Sequence, residues 1–154
     1  MAEIAQSSAS LRFFGDDLDP AELTRLLAGQ PTYAVRKGDI HTHPPNQPPR
    51  IALNGLWRLS SGCDKGDQLD HQIASILKTL TSDVAVWADL VRRFKVDMFC
   101  GVWLDQVNQG LGLTPSTLKL LGERGIKLDL DIYRRPRGHS DFRNQIDPAH
   151  PLAK

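Results

Sequence analysis

Residues 11–27 read LRFFGDDLDPAELTRLL, and this segment predicts a strand, a sharp acidic turn and a helix. Leu11 and Phe13 alternate with the polar residues on their N-terminal side, which is the period of a half-buried strand. Asp16 and Asp17 then favour a turn, because their short carboxylates accept hydrogen bonds from nearby backbone N–H groups. The segment therefore predicts a helix start directly after the turn.

The helix start has its own signal. Asp19 precedes Pro20, which is the order expected of an N-cap residue and a proline at the first helical position. Glu22 follows Asp19 by three residues and is placed to complete a capping box. Gly29 is expected at the C-terminal end, where glycine readily takes a left-handed backbone conformation. The helix would bury three leucines at helical spacing, Leu23, Leu26 and Leu27.

The same pattern recurs late in the chain, over residues 97–121. The letters FCG at 99–101 correspond to FFG at 13–15, and LTP at 113–115 corresponds to LDP at 18–20. A recurring strand–helix unit predicts an internal duplication, as in split-βαβ folds. The alternative is that two capped helices that follow strands resemble each other by chemistry alone.

Apolar periodicity predicts nine elements in the order β-α-β-β-α-α-β-α-β. After the first strand and helix, strands are predicted over residues 31–37, 51–60, 96–102 and 126–133, and helices over 69–80, 84–94 and 114–124. A proline-dense loop is expected at 40–50 and a turn-rich loop at 61–67. This order predicts an α+β fold with a mostly antiparallel sheet and helices on one face. Its core would be a ferredoxin-like split βαβ arrangement with an added helix and strand.

The last predicted strand has the clearest pattern. Residues 126–133 read IKLDLDIY and alternate strictly between apolar and polar side chains. The isoleucines and leucines should face the core. Lys127, Asp129, Asp131 and Tyr133 should face water on the other side of the sheet.

Composition describes one ordinary domain, because 154 residues with 40% hydrophobic content suffice for a sizeable core. We expect a disordered segment at 1–8, an α+β domain at 9–133 and an extended polar tail at 134–154. A net charge of +1 gives no bulk attraction to nucleic acid or membrane. No run approaches the roughly 18 apolar residues of a membrane helix, and no secretory signal is present. Cys63 and Cys100 have no metal or redox spacing, which favours a reduced, cytoplasmic protein.

Four segments in combination resemble a known family. They are FFGDDLDPAELTRLL at 13–27, PTYAVRKGD at 31–39, NGLWRLSS at 54–61 and LTPSTLKLLGERGIKLDLDIY at 113–133. Over about residues 9–133 the chain resembles the bacterial domain-of-unknown-function family 4279. The resemblance implies a small cytosolic α+β domain with no established activity. The longer tail after Tyr133 is a departure from the family.

The clearest candidate for a metal site is the His-x-His pair of His41 and His43, whose imidazoles could face one ion from an extended segment. A metal site also needs a third or fourth ligand. The candidate completions are Asp39, Cys63, Asp64 and His71. The proline-rich loop is a poor platform for such a site, so solvated loop histidines are the favoured interpretation and no metal or other cofactor is predicted.

Two other groups could carry chemistry. Asp16 and Asp17, with Asp19, form a carboxylate cluster that could bind a cation or transfer protons, although a turn and a cap already explain them. Cys63 could act as a nucleophile with His71 as its base, since His71 lies eight positions further on. The sequence has no nucleophile elbow, phosphate loop or dinucleotide fingerprint.

The first functional hypothesis is a non-catalytic binding or protein-interaction module of an immunity-like or regulatory kind. Its surface would join the polar face of the last strand to the 102–112 connection and to the acidic turn. The residues of this surface are Asp16, Asp17, Trp103, Asn108, Lys127, Asp129, Asp131 and Tyr133. Trp103 is expected in the connection. If the last strand lies at a sheet edge, it could also pair with a second copy and form a homodimer.

The second hypothesis is a small hydrolase or a metal-dependent enzyme that uses His41, His43 or Cys63. A third hypothesis is nucleic-acid binding through the basic tail, which contains Arg134, Arg135 and Arg137. The tail has few aromatic residues between its charges, so a solvated tail is the favoured interpretation.

Overall fold

Residues 4–134 are described by a computed structural model as seven strands and four helices. In chain order they are β1 (Gln6–Gly15), α1 (Pro20–Leu27), β2 (Tyr33–Val35), β3 (Ile40–His41), β4 (Arg50–Ile51), β5 (Gly55–Lys65), α2 (Leu69–Lys78), α3 (Val84–Arg93), β6 (Lys95–Leu104), α4 (Pro115–Glu123) and β7 (Lys127–Arg134). The two longest helices, α2 and α3, have ten residues each. Within residues 4–134 no helix has the length and apolarity needed to cross a bilayer.

Five strands form the main sheet, in the order β2-β5-β1-β6-β7. All neighbouring pairs are antiparallel except β6 and β7, which run parallel. The short strands β3 and β4 form a separate two-stranded sheet, which the sequence analysis did not predict. The α+β class and the mostly antiparallel sheet are thus confirmed. The ferredoxin-like assignment and the internal duplication stay predictions.

One face of the sheet carries the core. Alternate residues of β1 (Ala9, Leu11 and Phe13) are at most 1% exposed, and they pack in one cluster with the apolar faces of the helices. Trp57 and Trp87 are both fully buried in this cluster. Their rings lie within about 6 Å of the Phe13 ring, at 5.6 and 6.1 Å between centroids. The helices therefore cover one face of the sheet, as predicted.

The predicted start of α1 is confirmed in part. The Asp19 carboxylate accepts a hydrogen bond from the Ala21 N–H at 3.0 Å, as an N-cap does. Glu22 does not complete a capping box. Its two carboxylate oxygens instead accept hydrogen bonds from Arg93 of α3 at 2.8 and 2.9 Å. The left-handed residue that ends the helix is Ala28, with φ of 55°, one position before the predicted glycine.

The boundaries of β1, β5 and β6 differ from the predictions, and pairing with β1 extends the C-terminal ends of β5 and β6. Strand β1 itself begins at Gln6 and Ile4 is buried, so ordered structure starts before residue 9. Strand β5 begins at Gly55 and continues through the predicted loop to Lys65, which pairs with Gln6. Strand β6 continues to Leu104, which places Trp103 in the sheet. The prediction that Trp103 lies in the connection was therefore wrong.

Strand β7 lies at an edge of the sheet, and its apolar side is only partly covered. Ile126, just before the strand, is 7% exposed, but Leu130 is 38% and Ile132 is 60% exposed. The prediction that all of these side chains face the core is therefore wrong for the far half of the strand. The physical reason is that an edge strand has a neighbour on one side only. The predicted tail, apart from Arg134 in β7, lies outside the described residues.

Candidate binding face

The sheet face opposite the four helices carries most of the sequence-predicted binding residues, and we call it the open face. Strand alternation places one set of polar and aromatic side chains on it. In order from β2 to β7 these are Tyr33, Arg58, Ser10, Arg12, Phe14, Asp97, Phe99, Trp103, Lys127, Asp129, Asp131 and Tyr133. One row of directly paired residues crosses all five strands, namely Tyr33, Arg58, Arg12, Asp97 and Lys127.

The centre of the open face is occupied by a buried ion pair. Arg12 donates from Nε to Asp97 Oδ1 at 2.8 Å and from Nη2 to Asp97 Oδ2 at 2.7 Å. The guanidinium carbon lies 4.2 Å from the Phe99 ring centroid and 5.2 Å from that of Phe14. The two side chains are only 10% and 3% exposed. The two parallel hydrogen bonds pair both charges with each other. The middle of the open face is therefore filled by its own side chains.

An aromatic pair lies where β6 and β7 end. The Trp103 and Tyr133 rings stack at 5.4 Å between centroids, with 16° between their planes. Gly101 makes this possible, because a Cβ at that position would collide with the Trp103 ring. Tyr133 donates a hydrogen bond from its hydroxyl to Asp131 Oδ2 at 2.9 Å. Burial and this hydrogen bond both raise the pKa of Tyr133.

The charges of β7 are partly paired with one another. Lys127 Nζ donates to Asp129 Oδ2 at 2.9 Å, and this hydrogen bond raises the pKa of Lys127. The strand thus presents two carboxylates and one ammonium group on the open face. Tyr133 is 42% exposed, whereas Trp103 beneath it is only 4% exposed. The accessible part of this end of the face is therefore formed by Tyr133 and the β7 carboxylates.

The structure brings together five of the eight residues of the predicted surface. Trp103 lies beside Tyr133, whereas Lys127 pairs with Asp97 about 20 Å further back along the strands. Exposed Asn108 follows in the connection that leaves β6. Asp16 and Asp17 lie apart from Trp103 and Tyr133. Gln6 pairs with Trp103 at one end of β1 and Phe14 pairs with Lys95 at the other, so the acidic turn is about 30 Å away along the strand.

A second cluster lies at the β2 end of the open face and includes both histidines of the His-x-His pair. His41 Nδ1 and the Tyr33 hydroxyl are 2.8 Å apart. The His43 ring stacks on Tyr33 at 4.3 Å, and Arg58 Nη2 lies 3.2 Å from His43 Nε2. Arg50 Nη2 donates to the His43 carbonyl oxygen at 3.2 Å. We call these five residues the His–Arg cluster.

Sequence reasoning singled out the two histidines but missed their partners. Tyr33 and Arg58 belong to strands β2 and β5, which pair through the register Tyr33 with Arg58. The loop that carries His43 returns over this pair. Nothing in the spacing of the sequence indicates that return. The one feature of the sequence that could have indicated Tyr33 and Arg58 is the alternation of polar and apolar residues in β2 and β5.

The contacts do not assemble the candidate metal site. Within residues 4–134 no group of three or more His, Cys, Asp or Glu side chains could hold a metal ion. His43 faces a guanidinium, whose positive charge opposes a cation at the same nitrogen. The candidate completions have partners elsewhere, since Asp64 accepts from Gln72 and His71 bonds with Ser75.

The two cysteines are free thiols in different surroundings. Cys100 is buried in the core, and this burial raises the pKa of its thiol to about 12, which opposes thiolate chemistry. Cys63 is exposed and its Sγ accepts a hydrogen bond from Gln6 Nε2 at 2.8 Å. The structure gives Cys63 and His71 separate partners, so it does not show this candidate nucleophile and base in contact.

The fold and the face define an α+β protein whose mostly antiparallel sheet is covered by helices on one side. A family model described as "Domain of unknown function (DUF4279)" matches residues 5–135. The chain belongs to this family, which confirms the resemblance over most of its length. No curated protein and no solved structure matches the chain.

Proposed function

We propose that this protein is a non-catalytic binding module that holds a partner protein along the β7 edge of its sheet. The proposal rests on how β7 is paired in the sheet. Among the described residues, β7 pairs only with β6 and leaves one side of its backbone without a strand. Strand addition at a sheet edge is a general mode of protein recognition, in which backbone hydrogen bonds supply affinity.

The side chains of β7 indicate the chemistry of the partner. Leu130 and Ile132 expose apolar surface on one side of the strand, and Asp129 and Asp131 present carboxylates on the other. A complementary segment is extended and alternates apolar with basic side chains. Tyr133 supplies an exposed aromatic ring at the end of the strand, which is a side chain common at the energetic centre of interfaces.

The same charges disfavour self-pairing. In an antiparallel pairing centred on Leu130, each Asp129 lies opposite Asp131 of the second copy, and this happens twice in the interface. Like charges that face each other across paired strands are destabilising. In this register a homodimer is therefore the less favourable use of the edge, and a different protein is the proposed occupant.

A module of this kind would act by binding to its partner, as an immunity-like or regulatory protein does, and it would need no cofactor. A cytoplasmic setting is part of the same proposal, and it is supported by two free cysteines in the described chain. The enzyme alternative receives no support from the contacts of His41, His43 and Cys63 described above.

The test is native mass spectrometry of untagged protein, cross-linked in cells of its own host before purification. The variant is Ile132→Glu, which places a charge on the β7 edge. The matched control is Leu118→Glu, because Leu118 is 50% exposed on α4 and receives the same change. We expect a second polypeptide at one copy per chain in the wild type and the control, and its loss in Ile132→Glu.

Four results would contradict the proposal. A stoichiometric metal or metabolite with no polypeptide would favour the enzyme alternative. A bare monomer after cross-linking would remove the evidence for a partner. A polypeptide that Ile132→Glu retains would place the interface elsewhere. A dimer of this chain that Ile132→Glu dissociates would replace the proposed partner by a second copy.

A further inference from the structure

We infer that the β7 edge is a docking site for a segment of this same chain, residues 139–147, which pairs with the strand as the second arm of a hairpin. The apolar side of the edge is exposed, since Leu130 is 38% and Ile132 is 60% exposed. Residues 135–154 lie outside the described part of the chain and continue directly from Arg134, the last residue of β7. The 139–147 segment is therefore tethered next to the edge.

The residues between β7 and the 139–147 segment suit a three-residue hairpin loop. They are Pro136, Arg137 and Gly138. Such loops are typically a type I turn followed by a residue in the left-handed conformation. Proline favours the first central position of a type I turn, and glycine takes the left-handed conformation without a steric cost. This loop would place Arg135 opposite His139, which sets the register of all later pairs.

In this register apolar side chains meet apolar side chains, and charges meet opposite charges. Such cross-strand pairs are the unit of stabilisation in a sheet. The apolar pairs lie on the helix side of the strand, and the charged pairs lie on the open face. Leu130 faces Asn144 and gains no apolar partner, and Pro148 then ends the pairing because it has no N–H group. The complementary pairs are Ile132 with Phe142, Leu128 with Ile146, Asp131 with Arg143, and Lys127 with Asp147.

The contacts within β7 leave capacity for these charged pairs. Asp131 accepts one hydrogen bond from the Tyr133 hydroxyl, and Lys127 donates one to Asp129. A carboxylate has about four acceptor sites and an ammonium group has three donors. Both side chains can therefore keep these contacts and bind a second charge from the 139–147 segment.

A shift by one residue removes the match. A loop one residue shorter places Ile132 opposite Asp141 and Leu130 opposite Arg143. A loop one residue longer places Ile132 opposite Arg143. Each shift moves every side chain of the segment to the other face of the sheet. The loop sequence and the side-chain pattern are separate features of the chain, and both select the same register.

The tether favours this occupant over a second copy of the chain. A short connection gives an intramolecular segment an effective concentration of about 1 mM. The same segment on another molecule is present only at its solution concentration. Direct pairing of two β7 strands centred on Leu130 also brings Asp129 and Asp131 of the two copies together.

This inference deepens the proposed function by naming a form of regulation, and that regulatory part rests on the proposed partner binding. A partner strand and the 139–147 segment would use the same backbone edge, so the partner must displace the segment. The segment would then select against weak partners. It would also cover a sheet edge that could otherwise pair with unrelated chains.

The test is disulfide trapping in the full-length chain. The pair that closes the loop is hydrogen-bonded, and pair types alternate along an antiparallel ladder, so Ile132 and Phe142 form a non-hydrogen-bonded pair. The Cβ atoms of such a pair are about 4.5–5.5 Å apart, close to the spacing of a disulfide. The variant carries Ile132→Cys and Phe142→Cys. It also carries Cys63→Ser, because Cys63 is an exposed thiol.

The matched control carries Ile132→Cys, Arg143→Cys and Cys63→Ser. The tether differs by one residue, but position 143 lies on the other face of the sheet in the proposed register. Both proteins are equilibrated in a buffer of reduced and oxidised glutathione, and the disulfides are counted by mass spectrometry. We expect the effective concentration of the 132–142 thiol pair to exceed that of the 132–143 pair at least about tenfold.

A second measurement uses the unaltered chain. Amide protons over residues 140–146 should exchange with deuterium at least about tenfold more slowly than in an unfolded peptide of the same sequence. Residues 152–154, which lie beyond the paired segment, should exchange at the unfolded rate and serve as the internal control.

Three results would overturn the inferred pairing. These are equal trapping of the two thiol pairs, unfolded exchange rates over residues 140–146, or a disulfide that joins two chains. The last would replace the chain's own segment by that of a second copy.

The regulatory role has its own test. Phe142→Glu should raise the share of chains that carry a second polypeptide after cross-linking in cells, and an unchanged share would overturn this role. Trapping and exchange involve no partner. If both succeed and cross-linking finds no polypeptide, the pairing stands and the proposed partner binding fails, whereas the opposite pattern leaves partner binding standing alone.

Discussion

The ion pair between Arg12 and Asp97 should be strongly coupled, and a double-mutant cycle can measure the coupling. Both side chains are nearly buried at the centre of the open face, and two hydrogen bonds of 2.8 and 2.7 Å join them. Asp97→Val leaves the Arg12 charge buried between two phenylalanine rings with no counter-charge from Asp97. Breaking one side of a buried pair costs about 3–5 kcal/mol of unfolding free energy.

The double variant Arg12→Met/Asp97→Val should cost less than either single change. Methionine keeps the aliphatic packing between the rings, and neither residue then leaves an unpaired charge. Replacement of a whole buried ion pair by apolar residues is often neutral within a few kcal/mol. If the effects were independent, two single costs of about 3–5 kcal/mol would add to about 6–10 kcal/mol.

The assay is urea unfolding followed by tryptophan fluorescence, because Trp57 and Trp87 are fully buried and report the core. The urea dependence should keep its slope in all variants, so that the midpoints compare stability alone. A double variant as unstable as the sum of the two single variants would refute the reasoning. A single Asp97→Val cost below about 1 kcal/mol would show that water reaches the Arg12 charge.

Three further predictions concern α1 and its neighbours. Thr24→Val should cost about 1–3 kcal/mol in urea unfolding, because it leaves the buried Trp57 Nε1–H, now 3.1 Å from the Thr24 hydroxyl, without that acceptor. Asp19→Ala should cost about 1 kcal/mol by the same assay, through loss of the N-cap. Arg93 holds the pKa of Glu22 below its ordinary value of 4.5. The stabilisation is therefore present above that value and lost as the pH falls through the lowered pKa, so Glu22→Gln and wild type should converge in stability in acid.

Local sequence patterns predicted much of this fold. The apolar stripe over 69–80 predicted α2, and the stripe over 84–94 predicted α3, because helix periodicity is visible within a single segment. The aspartate and proline at 19–20 predicted the start of α1. Strict alternation predicted β7. Each of these signals is contained in fewer than about 15 residues, which is the range over which a periodic pattern can be read.

The remaining features depend on contacts between distant segments. Residues 61–65 contain glycine, serine and aspartate, which read as a loop, yet pairing with β1 holds them in a strand. Arg12 and Asp97 are 85 positions apart, and no pattern near either one indicates the other. Arg58 and His43 are only 15 positions apart, but they meet because the loop after β3 returns over the sheet.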